Sequence, residues 1–415
     1  MLEASELLIV DTNRALDPAA MQQLGHAEKD FNPEHARTWW QRAVDSGDPD
    51  QAPCAMVNLG ALAREQGDVG QARSWWQRAV DSGHPNQAPW AMVSLGTLDR
   101  EQGAIDQARS WYRRAVDSGH PNQAPRAMVS LGTLEKEQGD LDQARSWWQR
   151  AVDSGHPNQA PHAMVSLGTL EYEQDDVAQA RSWWHRAVNS GHPDETPRAM
   201  ANLGFLAHEQ GDVDQTRSWY RRAVDSGHPN QASRAMVSLG ILEKEQGDLD
   251  QARCWYQQAV DFGRPDHAPT AMFNLGNLEK GQGNVAQARS WYRRAFQSGH
   301  PDETPSAMVN LGNLEKEQGD VDQARDWYRR AVDSGHPNQA SRAMVSLGIL
   351  EKEQGNLDQA RSWWQRAIDS SHPQYSPEAE KILRTLAEFE HEQRQAEWIA
   401  RTGSYIDENW VPPRN

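Results

Sequence analysis

The sequence predicts an all-α solenoid, a linear stack of about ten helix-turn-helix repeats. A pair of adjacent aromatic residues recurs every 36 residues, from Trp39-Trp40 to Trp363-Trp364. Each repeat also carries a stripe of apolar residues at helical spacing and a glycine-containing turn signal. A fixed period of this length is typical of repeats that contact mainly their neighbours. The ten periods leave about 55 of 415 residues, too few for a separate catalytic domain, so we expect the function to lie on the surface of the array.

Residues 122–157 illustrate one repeat. Its helix A is marked by four apolar residues at helical spacing: Ala127, Met128, Leu131 and Leu134. Gly139 allows the left-handed conformation that ends a helix, and Asp140 can cap the next helix. Helix B is predicted from about Leu141 to Ser154. Each repeat is therefore an αα-hairpin with a tight turn.

Two turns depart from this pattern. Ala104 stands where other repeats have a capping residue, and Asp175 replaces the glycine. Each change is expected to cost about 1 kcal/mol locally.

The aromatic pairs are interpreted as core. Adjacent helical residues point about 100° apart, so one ring can fill the hairpin while its neighbour covers the next repeat.

Composition narrows the class of function. The net charge of −17 disfavours a nucleic-acid or anionic-membrane partner, since both favour a basic surface. Cys54 and Cys254 lie in distant repeats, which indicates a reduced, intracellular protein. The apolar run Leu7 to Val10 is too short for a signal core or a membrane span, so a cytoplasmic location is expected.

The ends of the chain differ from the repeats. The predicted organisation is an N-terminal cap region with a degenerate first helix at 1–30, the solenoid at 31–377, a capping helix at 378–402 and a flexible tail at 403–415. The caps are expected to cover the terminal apolar faces.

The repeats resemble tetratricopeptide repeats over nearly the whole chain. If Met56 is the family's fourth position, the small and large residues that typify it follow in order: Leu59, Gly60, Ala72, Trp76 and Ala79. The end of helix B also resembles Sel1-like repeats. The period is 36 rather than 34 residues, and the usual eleventh-position aromatic is replaced, as by Asp99, Glu135 and Ala207. The resemblance implies a right-handed superhelix whose A helices line a concave groove for extended peptides or partner helices, and it implies no catalysis.

One polar residue per repeat falls at the family's sixth position, on the face of helix A that the resemblance places in the groove. The strongest candidates for contacts with a peptide backbone are Asn58, Asn202, Asn274, Asn310, Ser130 and Ser238. An asparagine amide can donate and accept hydrogen bonds at once, which suits an extended backbone. The alternative is that these are small polar residues at a crowded helix contact.

Basic residues form a second series. They occupy the second position at Arg126, Arg198, Arg234 and Arg342, and the twelfth position at Lys136, Lys244, Lys280, Lys316 and Lys352. Stacked helices would align them as a positive track for acidic peptides or a free C-terminus. The alternative is local pairing four residues apart, as between Lys136 and Asp140.

Other patterns have structural explanations. Apolar residues on the same face could hold ligand side chains or simply pack between helices: Trp90, Phe205, Ile241, Phe273 and Ile349. The histidine before each repeat's proline, such as His156, recurs too far apart for a shared metal and is interpreted as a loop-packing residue. No phosphate-binding loop, metal-binding or catalytic motif is apparent, so no cofactor is expected.

The leading hypothesis is a non-enzymatic scaffold or adaptor that binds a protein or peptide segment in the groove. The alternatives are a self-assembling repeat protein, suggested by near-identical repeats, and a regulatory subunit of a separately encoded enzyme.

Overall fold

The computed structural model describes residues 17–402, and every regular element in that range is a helix. This confirms the predicted all-α class built from tandem helix-turn-helix repeats. The predicted tail at 403–415 and the run Leu7 to Val10 lie outside the described residues.

Two kinds of helix alternate along the chain. The first helix of each hairpin, called an A helix, spans Pro18–Glu28, Gln51–Glu65, Gln87–Glu101, Gln123–Glu137, Gln159–Glu173, Glu195–Glu209, Pro229–Glu245, Ala268–Gly281, Glu303–Glu317 and Pro337–Glu353. The second, called a B helix, spans Pro33–Asp45, Val69–Asp81, Ile105–Asp117, Leu141–Asp153, Val177–Asn189, Val213–Asp225, Leu249–Phe262, Val285–Gln297, Val321–Asp333 and Leu357–Asp369. A longer helix, Tyr375–Thr402, follows the last B helix.

The chain divides into two compact units, Met1–Leu206 and Ala207–Asn415. Within each unit, an A helix packs against the B helix of its own repeat, and that B helix packs against the next A helix. Neighbouring A helices also touch directly. Each unit is thus held together by contacts between adjacent repeats.

The turns within the hairpins follow the sequence expectations. Gly139 has a φ of 82°, in the left-handed region. The Asp140 side chain caps the following helix by accepting a hydrogen bond from the backbone N–H of Gln143. Ala104 makes no such cap, and Asp175 has a φ of 60°, as the sequence predicted for the two departures.

In most loops between hairpins, a histidine side chain accepts hydrogen bonds from backbone N–H groups. The Nδ1 of His156 accepts hydrogen bonds from the backbone N–H groups of Asn158 and Gln159, both at 3.2 Å. Its Nε2 lies 3.2 Å from Oδ1 of Asn122, at the start of the same repeat, a contact it makes as donor because Nδ1 is the acceptor. The loop-packing interpretation of these histidines is confirmed. Among residues 17–402, no group of three or more His, Cys, Asp or Glu side chains could hold a metal ion.

The second aromatic of each pair is the centre of the hairpin core. Trp76 is 1% exposed and lies flat against Gly60, where an added Cβ would come within 2.3 Å of the indole nitrogen. The same contact joins Gly312 to Tyr328. A glycine at the eighth position is therefore required for the A and B helices to approach around a large ring.

The first aromatic of each pair packs elsewhere. Trp111 is half-buried against a cluster that contains Trp76 of the preceding repeat and Ala91 of its own repeat, and Trp39 packs against a cluster that contains Ala55 of the next repeat. The outer face of Trp111 carries the Arg114 guanidinium, 4.3 Å from the ring centroid. Both rings of the pair are structural, as expected.

No helix within the described range is long and apolar enough to cross a lipid bilayer.

Candidate peptide-binding face of the A helices

Each A helix has one stripe of solvent-accessible residues. In Gln123–Glu137 the stripe contains Arg126, Ser130, Thr133 and Glu137, spaced three or four residues apart. The flanking positions are buried against the neighbouring B helices. These stripes, called here the A face, contain the second, sixth, ninth and thirteenth positions of every repeat. All of the predicted site residues lie on or beside the A face.

Two of the four candidate asparagines are partly engaged within the protein. Asn58 donates a hydrogen bond from Nδ2 to Gln22 Oε1 at 2.9 Å, and Asn310 donates to Asn277 Oδ1 at 3.0 Å. Both bonds join neighbouring repeats. Asn202 and Asn274 are half-buried at the same position. The asparagine at the sixth position thus joins neighbouring repeats in two places and is partly exposed in all four.

The serines at this position lie beside buried tyrosines. Ser130 and Ser238 are half-buried and lie near the hydroxyls of Tyr112 and Tyr220, respectively, and the Tyr112 hydroxyl donates a hydrogen bond to Thr97 Oγ1 at 3.2 Å. Burial raises the pKa of both tyrosines, so each hydroxyl stays protonated at neutral pH.

A tyrosine–asparagine network in the second unit was not predicted. The Tyr292 hydroxyl donates to Asn277 Oδ1 at 2.8 Å, and the Tyr328 hydroxyl donates to Asn313 Oδ1 at 2.7 Å. Burial raises the pKa of Tyr292 to about 12. A signal was present in the sequence, because these repeats have tyrosine in place of the buried tryptophan together with asparagine at the ninth position.

The second-position arginines differ in their surroundings. Arg126 and Ser130 line a recess of about 400 Å³ together with His162 and Glu195. Glu195 contacts His162 at 2.7 Å and Arg198 at 3.3 Å. Burial raises the pKa of Glu195, but its hydrogen bond with His162 and the nearby positive charges outweigh this and lower it overall.

The remaining two second-position arginines lie in the second unit. Arg234 is exposed and Arg342 is half-buried, and neither makes an ion pair among the described residues.

Most twelfth-position cations are paired with a carboxylate. Lys136, Lys280 and Lys316 contact Glu173, Glu317 and Glu353 at 2.7, 2.7 and 2.8 Å, respectively. In each case the partner is 37 residues later, at the end of the next A helix. Lys136 therefore does not pair with Asp140, and these lysines form a ladder of ion pairs between repeats. Lys244 and Lys352 are exposed and have no carboxylate partner in the described part of the chain.

A second set of ion pairs was missed by sequence reasoning. Glu351 is fully buried at the eleventh position and accepts hydrogen bonds from Arg325 of the preceding B helix, from Nε at 2.6 Å and from Nη2 at 3.3 Å. The Arg325 hydrogen bond lowers the pKa of Glu351. Glu135 and Arg109 repeat this geometry in the first unit. The signal was an arginine before every aromatic pair, with an acid 26 residues later in most repeats.

Apolar residues interrupt the A face at a few points. Phe205 and Ile241 are 38% and 37% exposed, whereas Trp90, Phe273 and Ile349 are half-buried. Lys352 lines a pocket of about 830 Å³ with Leu357, Leu386 and Phe389.

Comparison with protein families identifies the class. Two tetratricopeptide repeat models match, one over residues 51–118, 195–264 and 268–335, and the other over 93–160, 129–194 and 309–379. A Sel1 repeat model matches residues 19–48. Together the matches cover most of the chain, and the protein belongs to the tetratricopeptide repeat family. Repeats of these families generally mediate protein–protein interactions and are typically non-enzymatic.

Several solved structures are similar to this chain. The crystal structure of yeast Tom70 is 11% identical, with 93% of this chain and 99% of that chain covered and a TM-score of 0.48. A Sel1 repeat protein from Oxalobacter formigenes is 22% identical over 75% and 89% of the two chains, with a TM-score of 0.47. The protective antigen c5321 of uropathogenic Escherichia coli is 21% identical over 96% and 97%, with a TM-score of 0.41. No curated protein sequence matches this chain significantly.

Proposed function

We propose that this protein is a non-enzymatic cytoplasmic adaptor that binds an extended protein segment on its A face. The observation that carries the proposal is the composition of that face. It presents amides, hydroxyls and cations at repeated spacing, while the aromatic rings of each repeat are used in the core. An extended peptide has one donor and one acceptor per residue, which such a surface can satisfy.

The contacts are assigned by residue type. In the first unit Asn58, Ser130 and Asn202 contact a peptide backbone, and in the second unit Ser238, Asn274 and Asn310 do so. Acidic side chains or a terminal carboxylate of the partner are bound by the cations that make no ion pair in the described part of the chain, namely Arg126, Arg234, Arg342, Lys244 and Lys352. Cys54 and Cys254 are free thiols, which supports a reducing compartment.

Selection of random dodecapeptides displayed on phage tests the proposal. The intact protein should enrich a family of related sequences, and the variant Asn202→Ala/Asn274→Ala should bind them about tenfold more weakly, since each lost amide removes hydrogen bonds to the backbone.

The matched control is Ser74→Ala/Ser146→Ala, at exposed positions of two B helices, which should leave binding unchanged. Peptides that bind both double variants equally well would place recognition elsewhere and refute the proposal.

A further inference from the structure

In the described part of the second unit, the ion-pair ladder is interrupted at Lys244, between two repeats, and at Lys352, where the last helix follows the repeats. His208, Lys280 and Lys316 each contact the glutamate 37 residues later, namely Glu245, Glu317 and Glu353. For Lys244 the residue at that place is Gly281. Every other A helix ends at a glutamate, and only Ala268–Gly281 ends at a glycine within residues 17–402. Lys244 is consequently an exposed cation whose usual partner is missing.

Gly281 has no conformational reason to be glycine. Its φ is not in the left-handed region, and an added Cβ would meet no atom within 4 Å. Glycine near a helix end also lowers helix stability relative to other residues. Neither the turn nor the packing therefore accounts for the loss of the glutamate. The glycine at position 281 leaves the Lys244 ammonium group without the glutamate that would neutralise it.

Three A-face residues of the helix Pro229–Glu245 extend this site. Arg234, Ser238 and Ile241 lie at the second, sixth and ninth positions, and Lys244, at the twelfth, lies beside them on the helix. Arg234 and Lys244 are exposed, and Ile241 between them is 37% exposed. Ten helical residues separate the two cations by about 15 Å along the axis. An extended peptide covers that distance in about four or five residues.

We infer that these four residues form the acid-recognition site of the A face. This site accepts an extended partner segment with two carboxylates about four or five residues apart and an apolar side chain between them. One carboxylate pairs with Lys244, the other with Arg234, and the apolar side chain covers Ile241. The inference deepens the proposed function and rests on it. The inference also narrows the proposed function, because Lys280 and Lys316 are already paired with glutamates and contribute little to the binding of acidic groups.

The substitution Gly281→Glu tests the inference by supplying the carboxylate that Lys244 lacks. The new glutamate should pair with Lys244 without strain, and its charge should repel an acidic ligand. Gly281→Gln is the matched control, with the same size and no charge. A second control, Lys280→Gln/Glu317→Gln, removes both charges of one intact ion pair. Thermal unfolding should show that all variants remain folded, with both Gly281 variants somewhat more stable than the original chain.

Dodecapeptide selection on each protein gives the readout. The original chain, Gly281→Gln and the double variant should enrich peptides with paired Asp or Glu residues around an apolar residue. Gly281→Glu should lose this enrichment and should bind the most enriched acidic peptide about fivefold more weakly in fluorescence anisotropy, the scale of one exposed ion pair. Acidic enrichment that persists on Gly281→Glu, or selected peptides without acidic pairs, would overturn the inference and leave the proposed function standing. Failure of every protein to select any peptide would overturn both.

Discussion

Glu351 is a buried charged residue at a position of the repeat where an apolar ring would be expected. The family commonly has an aromatic residue at the eleventh position, whereas this chain buries a carboxylate there and binds Arg325 of the preceding B helix to it through two hydrogen bonds. An unpaired buried charge would be costly, and the arginine removes that cost while joining two repeats. The ion pair therefore replaces part of the apolar contact that an aromatic ring would make.

Replacing Glu351 by glutamine should lower the free energy of unfolding by about 2 kcal/mol at neutral pH, because the Arg325 guanidinium loses its charged partner. The pKa of Glu351 is lowered in the folded state, so the stabilisation is complete above about pH 4.3, the value for an unfolded chain, and is lost as the pH falls through the folded-state pKa. Urea titrations at neutral and acidic pH should show a smaller pH dependence in the variant.

Glu353→Gln is the control for this prediction. That glutamate is 50% exposed and pairs with Lys316 on the surface, so its loss should cost less than about 0.5 kcal/mol. An equal loss in the free energy of unfolding for the two substitutions would show that the buried ion pair stabilises the protein no more than the exposed one.

At the scale of the helices, the ends decide the shape of a repeat. Glycine in the left-handed region ends most A helices, an aspartate caps most B helices, and a histidine imidazole caps most A helices. His156 lies three residues before the first residue of the helix that it caps, and its Nε2 also contacts Asn122, directly before the preceding A helix. In the loop before Gln51–Glu65 the same bonds are accepted by Asp48, from the backbone N–H groups of Asp50 at 3.0 Å and Gln51 at 2.8 Å.

This natural replacement supplies a prediction for the A-helix cap. Substitution of His156 by alanine should destabilise the protein by about 1 kcal/mol, because two backbone N–H groups lose their acceptor. Substitution by aspartate should retain most of that stability, since Asp48 makes the same two bonds in its loop. Chemical denaturation of the two variants measures the difference, and an aspartate variant no more stable than the alanine variant would contradict the capping role.

At the scale of the whole molecule, charge and the use of aromatic residues set the behaviour in solution. The chain has a net charge of −17, the second ring of every aromatic pair is buried in the core, and the first ring is half-buried. Exposed large apolar side chains in the described range are few, with Phe31 at 91% and Phe389 at 55% the most accessible. Mutual repulsion between copies therefore opposes any association that these residues favour.

We accordingly expect a monomer of 46.7 kDa at all practical concentrations in moderate salt. Size-exclusion chromatography with multi-angle light scattering measures the mass directly, over a hundredfold range of concentration. A mass that rises to twice this value would instead favour the self-assembling alternative, and Phe389→Ser would then test whether the last helix forms the contact.

Much of the fold could be predicted from the sequence because its causes are local and repeated. The period, the left-handed Gly139, the Asp140 cap, the missing cap at Ala104 and the strained Asp175 all depend on residues close together in the chain. The candidate site was less predictable. The assignment of residues to the A face followed from helical spacing, but their partners lie 26 to 37 residues away.

By itself, the sequence determined the all-α repeat architecture, its turns and its buried aromatic rings, since short-range sterics and helical periodicity specify them. The tertiary structure decided which charges are neutralised, because ion pairs depend on which side chains the packing of neighbouring repeats brings together. The structure has salt bridges between neighbouring repeats where the alignment of basic residues predicted a positive track. Lys244 has no such partner, because glycine stands at position 281.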